Sequence, residues 1–144
     1  MRVFSALAAL LVLASGAHAQ DSRELVEGLV LFAELADEDS GMSPARESEV
    51  ATWLGFTGMH EVELEAGVEY ELVVVTDLVG GLDPDFYVEG PDGSTLVNAE
   101  GSAETEERAR FTAAESGTHV VSVELYNCED EEECFYGVVL LSAQ

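Results

Sequence analysis

Acidic side chains in turns are the residues of this chain best suited to hold a ligand. Four aspartates fall at or beside the ends of predicted strands, at positions Asp77, Asp83, Asp85 and Asp92. Calcium takes about six to eight oxygen ligands, which carboxylates converging at strand ends can supply. The spacing does not match the EF-hand loop. Two interpretations therefore stay open: a calcium site, or turns in which Asp83 caps the chain through its side chain and Asp85 faces solvent.

Cys128 and Cys134 are the chain's two cysteines, and the sequence between them is Glu-Asp-Glu-Glu-Glu. In an exported protein, an even pair this close predicts one local disulfide. His60 and His119 have no motif spacing to the cysteines, which argues against zinc. Because the flanking segments have strand patterns, we expect the disulfide to join the arms of a hairpin. The acidic tip of that hairpin, residues 129–133, is a second and weaker attractor for cations.

Motifs for nucleophilic or metal-assisted hydrolysis do not occur in the sequence. There is no Gly-x-Ser-x-Gly, no His-Glu-x-x-His and no phosphate-binding loop. His60 and His119 lie in strand patterns rather than in a motif that would make either a general base. Carboxylate pairs are uninformative among 30 acidic residues. The sequence therefore predicts a noncatalytic protein.

Aromatic side chains offer a possible binding face. Tyr87, Tyr126 and Tyr136 are candidates for contact with a sugar or a peptide. Tyr87 alternates with inward positions of its strand, which places it on the surface. Trp53 precedes Leu54 in a strand that we expect to face the core, so we expect Trp53 to be buried.

The charge of the chain excludes some partners. Its 144 residues include 30 acidic and five basic ones, all five of them arginine, for a net charge of −25 at pH 7. Such a chain is a poor nucleic-acid binder, because phosphate contacts need Lys and Arg, and an anionic membrane repels it. The acids are spread along every strand, which favours a whole-surface adaptation to high salt. A melting temperature that does not change between low and molar salt would contradict this last interpretation.

The first 19 residues have the pattern of an export signal. Arg2 precedes an apolar run of about 11 residues, and Ala17-His18-Ala19 is a small-x-small cleavage pattern. The run is too short to span a bilayer of about 30 Å. We therefore expect cleavage near Ala19 and a monomeric protein in the periplasm or outside the cell.

The remaining sequence predicts a mostly β fold. A helix is expected over residues 21–38, with Leu25, Leu29, Phe32, Ala33 and Ala36 on its apolar face. Residues 37–46 have linker composition, so the helix is either a packed cap or a tether. The domain boundaries expected are 1–19, 20–48 and 49–144. About eight short strands are expected, over residues 49–56, 60–64, 68–76, 85–89, 95–97, 104–111, 118–126 and 135–141. The fold class is an antiparallel, jelly-roll-like β-sandwich preceded by one short N-terminal helix.

Four motifs in this region resemble the bacterial pre-peptidase C-terminal domain. They are Ala66-Gly67 with Tyr70, Asp83-Pro84-Asp85 with Gly90-Pro-Asp-Gly93, Ser116-Gly117-Thr118 with Val123, and Phe135-Tyr136-Gly137. They occur in the expected order between residues 49 and 141. Two positions depart from the family pattern, since Pro84 replaces an apolar residue and His119 stands where Tyr is common.

The resemblance implies a jelly-roll-like, noncatalytic sandwich of the kind that accompanies secreted peptidases. Similar domains of bacterial collagenases bind calcium and fibrous substrate. We therefore predict an exported module that binds a protein or a glycan outside the cytoplasm, with calcium as a stabilising ion. The alternative is an accessory or stability module for a secreted partner, with no specific small ligand.

Overall fold

A computed structural model describes residues 22–35, 41–77, 82–100, 105–128 and 133–143 of the chain. The predicted export signal and residues 129–132 of the acidic tip lie outside these ranges. No helix in the described ranges is long and apolar enough to cross a membrane.

The described chain contains helix α1 over residues 22–35 and nine strands. The strands are β1 Met42–Pro44, β2 Glu49–Thr52, β3 Gly58–Leu64, β4 Glu69–Thr76, β5 Asp83–Glu89, β6 Thr95–Ala99, β7 Glu106–Thr112, β8 Gly117–Tyr126 and β9 Phe135–Ala143. The predicted fold class, a mostly β antiparallel sandwich, is confirmed. Strand β2 ends earlier than predicted, at Thr52, because Gly55 takes a left-handed φ of 80° that interrupts the extended chain.

The strands form two antiparallel sheets. Sheet A has the order β1-β9-β4-β7, and β2 also pairs with β9; sheet B has the order β3-β8-β5-β6. The core lies between the sheets because side chains alternate along each strand, with every second residue facing inward. Its largest members include Phe86 of sheet B and Leu72 of sheet A, both fully buried. Strand β4 is buried on both faces, as its continuous apolar run predicts.

Helix α1 covers the outer face of sheet A and is a packed cap rather than a tether. Val26, Val30 and Ala33 are buried in a second apolar cluster against this sheet. Gly137 allows the close approach, since a Cβ atom at that position would lie 2.2 Å from Val30. The predicted apolar face is wrong for Phe32, which is 68% exposed. The helix is rotated because small and β-branched residues, not a ring, fit over Gly137.

Two local expectations differ from the structure. Met42–Pro44, which has linker composition, forms strand β1 and pairs with Ala143 to Leu141 of β9. The Cys128–Cys134 disulfide is present, with a Cα–Cα distance of 6.2 Å, but it does not close a hairpin. Strand β8 belongs to sheet B and β9 to sheet A, so the disulfide closes the crossover between the sheets.

Candidate functional site

The strand register brings several loops to one end of the sandwich. Gly58 of β3 pairs with Val123, near the end of β8. Asp83, the first residue of β5, pairs with Tyr126, the last residue of β8. The loop between β2 and β3, residues 53–57, therefore lies at the same end as the start of β5 and the end of β8. We name residues 53–57 the apolar loop.

The apolar loop exposes large hydrophobic side chains. Leu54, Phe56 and Met59, the last in the adjoining strand, are 68%, 65% and 69% exposed. They border a cleft of about 330 Å³, which is lined by Thr52, Trp53, Leu54, Phe56, Thr57, Gly58, Met59 and Tyr136. Apolar side chains that cluster on the surface of a charged protein are typical of interaction sites.

The ends of the apolar loop are anchored to the sandwich. The backbone N–H of Trp53 donates to the carbonyl oxygen of Cys134 at 2.8 Å. The Trp53 side chain packs against the core, as expected, but it is only half-buried and the residue follows strand β2 instead of lying in it. Gly55 then reverses the chain with its positive φ. One aromatic side chain therefore holds the loop, while Leu54 and Phe56 face solvent.

A hydrogen-bonded chain of three side chains supports the base of the cleft. Nδ1 of His60 lies 3.1 Å from the Glu49 carboxylate, which can only accept, so Nδ1 is the donor; Nε2 of His60 is hydrogen-bonded to the Tyr136 hydroxyl at 2.8 Å. Arg46 pairs with the same carboxylate at 3.5 Å. Gly58 makes room for the phenol, because a Cβ atom there would lie 2.1 Å from the Tyr136 hydroxyl oxygen.

The hydrogen bonds among Tyr136, His60 and Glu49 are connected as in a proton relay, but the pKa of the Tyr136 hydroxyl does not suit one. Burial, with a smaller contribution from the charge of Glu49, raises the pKa of Tyr136 to about 12. A nucleophilic or basic phenol needs a lowered pKa. The arrangement therefore fixes the position of the Tyr136 ring, and sequence reasoning found no sign of it because the three residues come from three different strands.

A cluster of carboxylates lies beside the apolar loop on the outer face of sheet B. We name Asp85, Glu100 and Glu124 the carboxylate cluster. Asp85 and Glu124 occupy paired positions of β5 and β8, so their side chains project from the same face. The hydroxyl of Thr57, a cleft residue, donates to Oε1 of Glu124 at 3.2 Å. The carboxylate cluster and the cleft therefore share an edge.

Two of the predicted binding tyrosines belong to this face. Tyr126, 48% exposed, donates to Oε2 of Glu124 at 3.1 Å, and Tyr87 donates to Glu100 at 2.8 Å. The hydrogen bond to Glu100 is the main cause of the raised pKa of Tyr87, followed by desolvation and nearby charge. The hydrogen bond to Glu124 and its charge likewise raise the pKa of Tyr126. The charge of Glu100 contributes to both shifts, so the two tyrosines share one acidic surrounding.

Tyr136 does not share that exposed face. It is 2% exposed and belongs to β9 of sheet A, although it is one of the residues that line the cleft. The expectation of one surface formed by three tyrosines is therefore corrected to two surface tyrosines and one buried residue at the base of the cleft. Alternation along β9 could not reveal this, because β9 is buried on both faces.

The four predicted calcium ligands are divided between the two ends of the sandwich. Asp77, Asp83 and Asp85 lie at the cleft end, whereas Asp92 lies in the turn after the far end of β5. Asp83 Oδ1 is buried and has no hydrogen-bond partner within the described ranges. Asp85 is buried rather than facing solvent. In the described ranges no three His, Cys, Asp or Glu side chains are grouped to hold a metal ion, and calcium binding stays a prediction.

Asp92 has the geometry of an Asx turn. Its Oδ1 accepts hydrogen bonds from the Ser94 hydroxyl at 2.6 Å and from the Ser94 backbone N–H at 2.9 Å. These bonds favour the charged carboxylate and lower the pKa of Asp92. Turn structure accounts for this residue.

His119 is fully buried near the same turn. Its Nδ1 donates to the Gly117 carbonyl oxygen at 2.9 Å, and its Nε2 has no partner in the part of the chain that the structure describes. The residue lines a cavity of about 80 Å³ beside Asp92 and Ser94. A polar cavity of this size has room for water.

The arginines of the described chain make ion pairs away from the carboxylate cluster. Arg108 and Arg110 each pair at 3.1 Å with Glu71, a buried residue on the outer face of sheet A. Arg23 pairs with Glu27 on α1 at 3.0 Å. Together with the Arg46 pair at Glu49, these contacts engage every arginine that the structure describes.

Comparison with known proteins supports the fold. No family model matches the sequence, and no curated protein matches it. Among solved structures, the pre-peptidase C-terminal domain of a Bacillus anthracis collagenase superimposes with a TM-score of 0.52 and 12% identity, over 65% of this chain and 87% of that one. A periplasmic inhibitor of g-type lysozyme from Aeromonas hydrophila gives a TM-score of 0.47 and 12% identity, over 67% of this chain and 84% of that one. The chain therefore has a β-sandwich fold like that of the pre-peptidase C-terminal domain, as its sequence motifs predict.

Proposed function

We propose that this chain is an exported, noncatalytic module that binds a polypeptide through the cleft of the apolar loop. The observation that carries the proposal is the exposure of Leu54, Phe56 and Met59 around that cleft. Burying an apolar side chain at an interface contributes about 1.5–3 kcal/mol, so leaving three exposed on a monomer has no structural benefit. The disulfide supports export, because such bonds persist in oxidising compartments.

A polypeptide fits this cleft better than a glycan. Sugar-binding faces use exposed aromatic platforms together with free polar groups. Here Tyr136 is buried, and the Tyr87 and Tyr126 hydroxyls are already bonded to carboxylates. The exposed side chains around the cleft are those of Leu54, Phe56 and Met59, which have no polar groups to bond a sugar, and Met suits irregular apolar partners.

The second candidate is an accessory module that contacts a secreted partner through α1. The observation that favours it is the exposed apolar stripe formed by Leu31, Phe32 and Leu35. This stripe is flat and helical, whereas the apolar loop surrounds a cleft. The two candidates place the interface at different parts of the sandwich, the cleft at one end and the α1 stripe over the outer face of sheet A, which allows a direct test.

The test uses peptides selected from a phage-displayed random library on the folded protein. Phe56→Ser and Phe32→Ser are matched variants, because both rings are about equally exposed, at 65% and 68%. The proposal expects selected peptides to lose binding on Phe56→Ser and to retain it on Phe32→Ser. The reverse pattern supports the α1 candidate, and selection of no specific peptide contradicts both.

A further inference from the structure

The cleft and the carboxylate cluster form one continuous surface. Thr57 lines the cleft and donates to Glu124, and Met59 lines the cleft and pairs across β3 and β8 with Ser122. Ser122 in turn pairs with Tyr87 on β5. A ligand that covers Met59 therefore lies next to the carboxylate cluster.

Neutral side chains donate the hydrogen bonds that Glu100 and Glu124 accept on this surface. Glu124 accepts hydrogen bonds from Thr57 and Tyr126, and Glu100 accepts one from Tyr87. These donors are neutral, so they orient the carboxylates without compensating the charge. A cation bound beside Glu100 and Glu124 would be attracted by both carboxylates.

Charge complementarity selects the occupant of the cleft. A second copy of the chain would add another −25 and the same carboxylate cluster to the interface, so self-association is disfavoured. An acidic or neutral polypeptide would desolvate the carboxylates without compensation. We infer that the cleft binds a cationic polypeptide, whose apolar side chains contact the apolar loop and whose Lys or Arg side chains contact Glu100 and Glu124, the accessible members of the carboxylate cluster. This inference rests on the proposed function and adds the chemistry of the partner.

The test uses three synthetic peptides of equal length, in which leucine alternates with lysine, glutamine or glutamate. Binding is measured by isothermal titration calorimetry at physiological ionic strength, where the Debye length is about 8 Å. We expect the lysine peptide to bind about tenfold more tightly than the glutamine peptide, and the glutamate peptide to bind least. Glu124→Gln should weaken the binding of the lysine peptide about fivefold, which corresponds to the loss of one partly exposed ion pair. The same variant should bind the glutamine peptide with unchanged affinity.

Glu63→Gln is the matched control for the loss of one charge. Glu63 is exposed on β3 of the same sheet, at the end away from the cleft, and its hydrogen bond from Thr118 keeps it ordered. We expect the affinity of this variant for the lysine peptide to change by less than about twofold. Equal losses from Glu63→Gln and Glu124→Gln would overturn it, because the attraction would then come from the overall charge.

Other outcomes separate this inference from the proposed function. Equal affinities for the lysine and glutamine peptides, both abolished by Phe56→Ser, would overturn the cationic partner and leave the binding module intact. Affinities that are insensitive to Phe56→Ser would overturn both. Dimerisation through the cleft, seen by sedimentation and lost on Phe56→Ser, would identify a second copy as the occupant and also overturn the cationic partner.

Discussion

The contact between Gly58 and Tyr136 allows a quantitative test of how the cleft is built. Tyr136→Phe removes the hydroxyl that is hydrogen-bonded to Nε2 of His60 and leaves that buried nitrogen without this partner. Such a loss costs about 1–3 kcal/mol of unfolding free energy. Gly58→Ala places a Cβ atom 2.1 Å from the same hydroxyl oxygen, so the phenol must move and the same hydrogen bond breaks. We expect each single variant to lower the free energy of unfolding by about 2 kcal/mol.

The double variant should cost about as much as Tyr136→Phe alone. Without the hydroxyl, the nearest atom to the new Cβ is Cζ of residue 136 at 3.0 Å, a contact that small shifts can relieve. Two changes that break one bond are not additive, so the coupling energy should be about 2 kcal/mol.

The assay is equilibrium unfolding in urea, which leaves the ionic strength constant for this acidic protein. Equal m-values across the four proteins would show that the native and unfolded states are comparable. If the cost of the double variant equals the sum of the single costs to within about 0.5 kcal/mol, the described geometry of Gly58, His60 and Tyr136 is refuted.

Three further predictions concern stability. Replacing Cys128 and Cys134 by alanine should lower the unfolding free energy by about 2 kcal/mol, because a short closed loop at the crossover no longer restricts the unfolded chain; unchanged urea unfolding would contradict this. Since the pKa of Tyr136 is raised from 10.0 to about 12, the native state retains a proton that the unfolded state loses, so stability should fall as pH rises through this window. Tyr136→Phe should abolish about 3 kcal/mol of that loss, and parallel pH profiles for the two proteins would refute the assignment. Calcium, but not magnesium, should raise the melting temperature saturably at constant ionic strength, and Asp83→Asn should remove the effect; equal responses to both ions would contradict a specific site.

Most of the strand order along the chain could be predicted from the sequence because local alternation reports burial. Strands β3 to β9 lie within a few residues of their predicted positions. Local composition does not predict strand β1, because Gly-Met-Ser-Pro is typical of turns and only its pairing with β9 makes this segment a strand. The disulfide was paired correctly, but the sheet of each flanking strand depends on long-range pairing that local patterns do not contain.

The candidate site was harder to predict. The run Trp53-Leu54-Gly55-Phe56 has the apolar composition of a buried strand. Within this run only Gly55, which takes a positive φ, is typical of a loop. The proximity of Asp85, Glu124 and Thr57 depends on the register of three strands, which composition does not determine.

Chemical-shift mapping by NMR of the chain titrated with the lysine–leucine peptide tests the central claim most directly. The account predicts shifts concentrated at Leu54, Phe56, Met59 and Glu124, with the resonances of α1 unchanged. Shifts concentrated at Phe32 and the rest of the exposed stripe of α1, or spread evenly over both sheets, would contradict it.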